Sequence, residues 1–146
     1  MKHLLLKAVT IGVAAIAMAG ASAQDIKERT FKFGLAGPED NHPASPGMKK
    51  FAELVSQKSG GKMKVNLFFN SALGTDQAVV SSLKGGTVEM AVMNTGILAS
   101  EAKELAIFDF PFLFANEKES DSIVDGAIGK KMHALLEPKG IVGLAY

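Results

Sequence analysis

The hydrophobic and polar residues of this chain change their period several times. In "TFKFGLA" (30–36) Phe31, Phe33 and Leu35 alternate with other residues, and a two-residue period predicts a strand with one buried face. After the turn-rich "GPEDNHPASP" the period lengthens, with Met48, Phe51, Ala52, Leu54 and Val55 recurring at helical spacing. Ser45 is expected to be the N-cap of this helix, with Pro46 at its first position, and Gly60-Gly61 to end it. Alternation returns through Met63, Val65 and Leu67, predicting a second strand over 62–69. A second helix is expected next. Thr75 caps it, Asp76 sits in the first turn where a negative charge suits the helix dipole, and Val79, Val80 and Leu83 form its apolar side. Gly85-Gly86 stops it, and "TVEMAVMN" (87–94) reads as a third strand.

The pattern is less regular downstream. "TGILASEAKEL" reads as short helical or irregular chain. "IFDFPFLF" (107–114) then sets Phe at 108, 110, 112 and 114. Period 2 in an extended chain points side chains one way, while Pro111 removes a ladder donor and excludes a regular central strand. The expectation is an extended connector whose four rings, Phe108, Phe110, Phe112 and Phe114, pack in the core. Asn116 and Glu119 have the spacing of a capping box. They open one helix carrying Val124, Ile128, Met132, Leu135 and Leu136, which ends near Glu137 to Gly140. "IVGLAY" (141–146) is expected to be a last strand. Strands that alternate with helices imply an α/β fold, a mostly parallel sheet with helices on both faces.

Composition narrows the function. Lys2, His3 and Lys7 precede an uncharged stretch from Ala8 to Ala19, and "ASA" at 21–23 supplies small residues before Gln24. This is the layout of a secretory signal peptide over residues 1–23, cleaved after Ala23. The apolar run falls short of the roughly 20 residues that span a bilayer, so no stable membrane insertion is expected after cleavage. Residues 24–146 then form a single exported domain. Cysteine is absent, which excludes disulfides and thiolate metal sites, and neither a metal nor a cofactor is expected. Sixteen basic residues face fifteen acidic ones, with Arg29 the sole arginine, so nucleic acid is not an expected partner.

The residues give little support for catalysis. There is no G-x-S-x-G elbow, no H-E-x-x-H pair and no G-x-G-x-x-G after the first strand. "SGGK" at 59–62 lacks the spacing of a phosphate loop and reads better as a helix end. The one enzymatic alternative is a secreted, hydrolase-like α/β domain using Ser45 and His42. Open α/β sheets bind ligands beyond the C-terminal ends of their strands. Here those ends feed loops at 36–45, 69–75 and 93–96, and the first two run into helix N-termini, which favour anions. His42, Asn70, Asn94 and Thr95 offer hydrogen bonds at that edge, and Phe69 an apolar wall.

The string "FKFGLA…HPASPGMKKFAELVSQKSGGKMKVNLFFNSALGTDQAVVSSLKGGTVEMAVM…IFDFPFLF…GLAY" resembles the DctP-type extracytoplasmic solute-binding proteins of TRAP transporters. The helix-to-strand join around "KSGGK", the "LG…D" turn leading to "LKGGTVEMA", and "IFDFPFLF" carry most of the likeness. The resemblance implies a periplasmic protein of two α/β lobes around a cleft. Such a protein captures a small organic acid, a C4-dicarboxylate or a related sugar acid, for a sodium-coupled membrane permease, and a monomer is expected at full length. By this likeness the chain corresponds to the first lobe, 24–146, and "GLAY" to a strand crossing toward a second lobe. The arginine that pairs with the ligand carboxylate in relatives belongs to that downstream portion, and Arg29 cannot replace it. Carried over by position, the end of the third strand falls on Asn94, with Thr95 beside it, and the acidic residue after "LG" on Asp76. A polar residue at the end of the first strand is replaced by Ala36, so that contact is lost or moves to Glu39, Asp40 or His42.

Overall fold

The computed structural model describes residues 26–146, so the expected signal peptide and its cleavage site lie outside the described residues. Three strands form one sheet: β1 (Arg29–Leu35), β2 (Met63–Phe68) and β3 (Met90–Val92). Their order is β2-β1-β3, so the first strand of the chain is the central one. Both pairings are parallel, with Arg29 opposite Met63 and Phe33 opposite Met90. Helix α1 (Ser45–Lys58) links β1 to β2, and α2 (Asp76–Lys84) links β2 to β3.

Because neighbouring side chains on a strand point to opposite faces, β1 shows where each layer sits. Phe33 meets Phe51 of α1 edge to face, with ring centroids 5.7 Å apart. Gly34, on the other face, leaves room for Leu73 from the loop that enters α2. Helices therefore cover both sides of a parallel sheet, as the alternating pattern predicted. Met48, Leu35, Val79, Val80 and Val88 are buried in this part.

The helix ends follow local chemistry. Thr75 Oγ1 accepts the Ala78 N–H at 3.3 Å, the expected cap of α2. Gly60, Gly61 and Gly86 take positive φ just past the helices they were expected to end. The start of α1 differs from expectation. Ser45 is the first helical residue, and Ala44 occupies the cap with no side-chain bond. The Ser45 hydroxyl is buried and donates to Pro38 O at 3.3 Å, so a tertiary partner has replaced the capping one. The third strand is shorter than the expected 87–94. Where β3 would run on beside β1, the Glu89 carboxylate accepts the Lys32 N–H at 2.7 Å in place of a backbone carbonyl.

Beyond Val92 the chain abandons the sheet. Two 3₁₀ turns cover Thr95–Ser100 and Lys103–Asp109. Half of the capping box forms: Asn116 Oδ1 accepts the Glu119 N–H at 3.0 Å, but the Glu119 carboxylate accepts the N–H of Ala115, one residue before the cap, at 2.8 Å. The expected single helix is two, α3 (Glu117–Val124) and α4 (Ala127–Ala134). They are divided at Asp125-Gly126, a turn dipeptide whose glycine caps α4. Ala102, Leu105 and Leu136 form a buried cluster, with Leu98, Phe108, Met132, Leu135 and Ile141 packed on it.

Two expectations fail in this part. Of the four rings in "IFDFPFLF", Phe108 packs against the core cluster and Phe114 is half-buried, but Phe110 is 64% exposed and Phe112 fully exposed. The reason is the 3₁₀ turn, which closes Phe110 N–H onto Ile107 O and ends the period of two that would have aligned the rings. Residues 141–146 pair with no strand. They lie against α4 instead. Tyr146 stacks on His133 at 4.2 Å, and its hydroxyl donates to Gly129 O at 3.1 Å.

Candidate functional site

A doubly wound sheet opens a crevice where successive connections leave on opposite sides of one strand. Here that strand is β1, with β2 on one side and β3 on the other. A small depression lies at its C-terminal end. Gly34, Leu35 and Ala36 of β1 and its exit, Ala91 and Val92 of β3, Ser71, Leu73 and Gly74 of the loop after β2, and Asp76 and Val79 of α2 line it.

Asp76 is the one charged residue in this lining. It is half-buried, and its carboxylate makes no hydrogen bond or ion pair among the described residues. Thr75 already caps α2, so the Asp76 side chain is free of that task. It stands in the first turn of α2, at the positive end of the helix dipole. What the wall can do is therefore accept hydrogen bonds from a polar, hydroxyl-bearing molecule.

The other expected residues occupy neighbouring places rather than the depression itself. Asn94 is exposed and lies two residues past β3, where its carbonyl accepts the Ile97 N–H at 3.1 Å. Thr95 follows as the first residue of the 3₁₀ turn and is half-buried. Phe69, half-buried, carries the Lys49 ammonium 6.0 Å from its ring centre, and Lys49 also pairs with Glu39 at 2.9 Å. His42 packs its ring on Gly37, where any side chain would collide with it. Its Nδ1 accepts the Ala44 N–H at 3.2 Å. Ser45 and His42 thus each serve the loop: the Ser45 hydroxyl turns to Pro38 O and His42 Nδ1 to the backbone, and no side-chain bond joins them. This is the geometry of a braced turn.

Ser71, Leu73 and Gly34 were not singled out as site residues. The signal was present for Ser71 in the "NSALG" turn, but nothing in a glycine within a strand pattern shows that a leucine from a later loop will descend on it.

The sequence matches the family described as bacterial extracellular solute-binding protein, family 7 (DctP), over residues 36–146. The chain belongs to this family. It is 31% identical over 143 residues to the 2,3-diketo-L-gulonate-binding periplasmic protein YiaO of Escherichia coli, covering 97% of this chain and 43% of that protein. It is 33% identical over 116 residues to the C4-dicarboxylate-binding protein DctB of Bacillus subtilis, covering 80% of this chain and 33% of the relative. Among solved structures, the sugar acid binding protein DctPAm of Advenella mimigardefordensis in complex with galactonate is 44% identical with a TM-score of 0.80. That match covers 83% of this chain and 39% of the other. A TRAP periplasmic solute-binding protein from Sulfurospirillum deleyianum with bound succinate is 29% identical with a TM-score of 0.76, covering 82% and 38%. The chain therefore spans about two fifths or less of the length of these DctP-family relatives. The α/β lobe with its parallel sheet is the part they share.

Proposed function

We propose that this chain contributes the first lobe of a periplasmic receptor that captures a small organic acid for a TRAP membrane permease coupled to sodium. Membership of the DctP family over residues 36–146 is the observation that carries this reading. Export by the segment 1–23, cleaved after Ala23, fits the periplasmic relatives. Binding, not catalysis, is the role: Ser45 and His42 are committed to the loop that precedes α1.

The free carboxylate of Asp76 refines the ligand class. A hydroxyl can donate to it, whereas a second carboxylate placed there would meet a like charge and lose affinity. This favours sugar acids over plain dicarboxylates, in keeping with the galactonate-bound relative at 44% identity. Asn94, Thr95, Phe69 and His42 flank this wall as further candidate contacts. The ligand carboxylate would pair with an arginine from a second lobe, as the family resemblance implies.

The test is a thermal-shift screen of the whole gene product against galactonate, galacturonate, succinate and neutral galactose. A ligand at 100 times its Kd stabilises the folded state by about 2.7 kcal/mol, so a clear rise in Tm is expected with a sugar acid. A rise with galactose and none with any acid would sink the reading. Asp76→Ala should weaken a hydroxylated acid more than it weakens succinate.

A further inference from the structure

The loop between β2 and α2 contains two consecutive non-glycine residues in the left-handed region, Asn70 (φ 54°) and Ser71 (φ 56°). That region disfavours L side chains, with asparagine the best tolerated after glycine. Three attachments hold the loop in this costly shape. Asn70 N–H donates to Gly37 O at 2.8 Å. The Ser71 hydroxyl donates to Ala36 O at 3.3 Å. The Leu73 side chain lies so near Gly34 that a Cβ there would be 3.0 Å from its methyl group. The attachments run along the end and exit of β1, and Gly34, Ala36, Ser71 and Leu73 all line the depression that holds Asp76. The Asn70 side chain itself makes no hydrogen bond among the described residues.

We propose that Asn70 is a positioning residue whose left-handed backbone, rather than its amide group, ties the loop after β2 to the exit of β1 and presets the Asp76 wall before any ligand arrives. If the backbone shape is what matters, glycine will serve as well as asparagine at this position, and a β-branched residue will not. The affinity consequence rests on the organic-acid reading given above; the tether itself does not.

The experiment compares Asn70→Val with Asn70→Gly in the whole gene product. Hydrogen exchange at the residue 70 amide is measured without ligand, Kd for galactonate by calorimetry, and Tm as a check on the fold. Asn70→Val should exchange about tenfold faster and bind about tenfold more weakly, as expected when the left-handed region is closed to the side chain. Asn70→Gly should stay within about threefold of the parent in both. Unchanged exchange in Asn70→Val would overturn the proposal. So would an Asn70→Gly variant that binds as weakly as Asn70→Val with its amide still protected, because the Asn70 amide would then be touching the ligand. If the parent protein binds no galactonate, the ligand reading is what suffers, and exchange alone decides the tether: fast in Asn70→Val and slow in Asn70→Gly upholds it, equal rates refute it.

Discussion

Residues 26–92 and 93–146 are built on different principles. In the first region every strand is partnered by β1, helices end at glycines, and Phe51 alone among the large hydrophobics is more than a third exposed. The second has no strand. It rests on the cluster of Ala102, Leu105 and Leu136, and it exposes Ile107, Phe110, Phe112, Leu113, Ile128, Val142, Leu144 and Tyr146. A sheet enforces the side-chain period along its whole length, because each backbone group must find the next strand. A 3₁₀ turn enforces only its own few residues, and the apolar pattern on either side goes unread.

The comparison can be broken most forcefully at the two cores. Leu105→Ala should cost about 2–5 kcal/mol, the range for a large side chain removed from a packed site. Hydrogen exchange should show the loss confined to residues beyond Val92, with β1 still protected. Met48→Ala, of similar expected cost, should strip protection from α1 and the sheet first. Uniform loss in both variants would mean that the two regions unfold as one.

Gly129→Ala comes next. A Cβ there would run into Val124 O and press on the Tyr146 ring. Overpacking of this kind costs about 1–3 kcal/mol. Urea denaturation followed by the Tyr146 signal should register it, and a variant as stable as the parent would show that the α3–α4 corner is loose.

The caps give a matched pair, one in each region. Thr75→Ala and Asn116→Ala each remove an observed side-chain bond to a helix N–H, with a typical cost of about 1 kcal/mol. Equal values by chemical denaturation would locate the difference between the regions in packing alone.

Legibility from sequence follows the same division. β1, β2, α1 and α2 could be read because Phe31, Phe33 and Leu35, then Met48 and Val79, carry periods that tertiary structure upholds. Ser45 was misread because its hydroxyl had a distant competitor, Pro38 O, invisible to local pattern. Asp125-Gly126 carried a turn signal that the longer apolar period over Val124 to Leu136 overrode. At the site, the loops were legible from the order of strands, and the helix pattern placed Asp76 in the first turn of α2. The convergence of Ser71 and Leu73 on β1 was not, since it depends on residues more than thirty positions apart.

Phe112 sharpens the comparison at smaller scale. It is fully exposed with φ 57°. Phe112→Gly should change stability by less than about 0.5 kcal/mol, since relief of the left-handed backbone offsets the added chain freedom. Phe108→Ala, on the core cluster, should cost several times more. Comparable Tm losses would mean that both rings are buried in solution.

The smallest effect is a pH dependence confined to the second region. Burial holds the His133 pKa below its ordinary value of 6.5, so the folded state takes up a proton less readily than the unfolded chain. The contribution is present above pH 6.5 and is lost as pH falls through the lower folded value. His133→Gln should flatten that slope in Tm. Burial raises the Tyr146 pKa above its ordinary 10.0, and the matching loss appears as pH climbs past that range.

The order β2-β1-β3 also has a consequence in time. The central strand is the first one synthesised, and a parallel sheet offers it no hairpin partner. Phe33 must wait for Leu67 to emerge before one edge is paired, and for Met90 before the other. Contacts so distant in sequence make closure slow. Until β3 has docked through Val92, Phe31, Phe33 and Leu35 form a hydrophobic ribbon with an open edge. That interval, before the sheet closes, is when the edges of β1 are open to pairing with another chain.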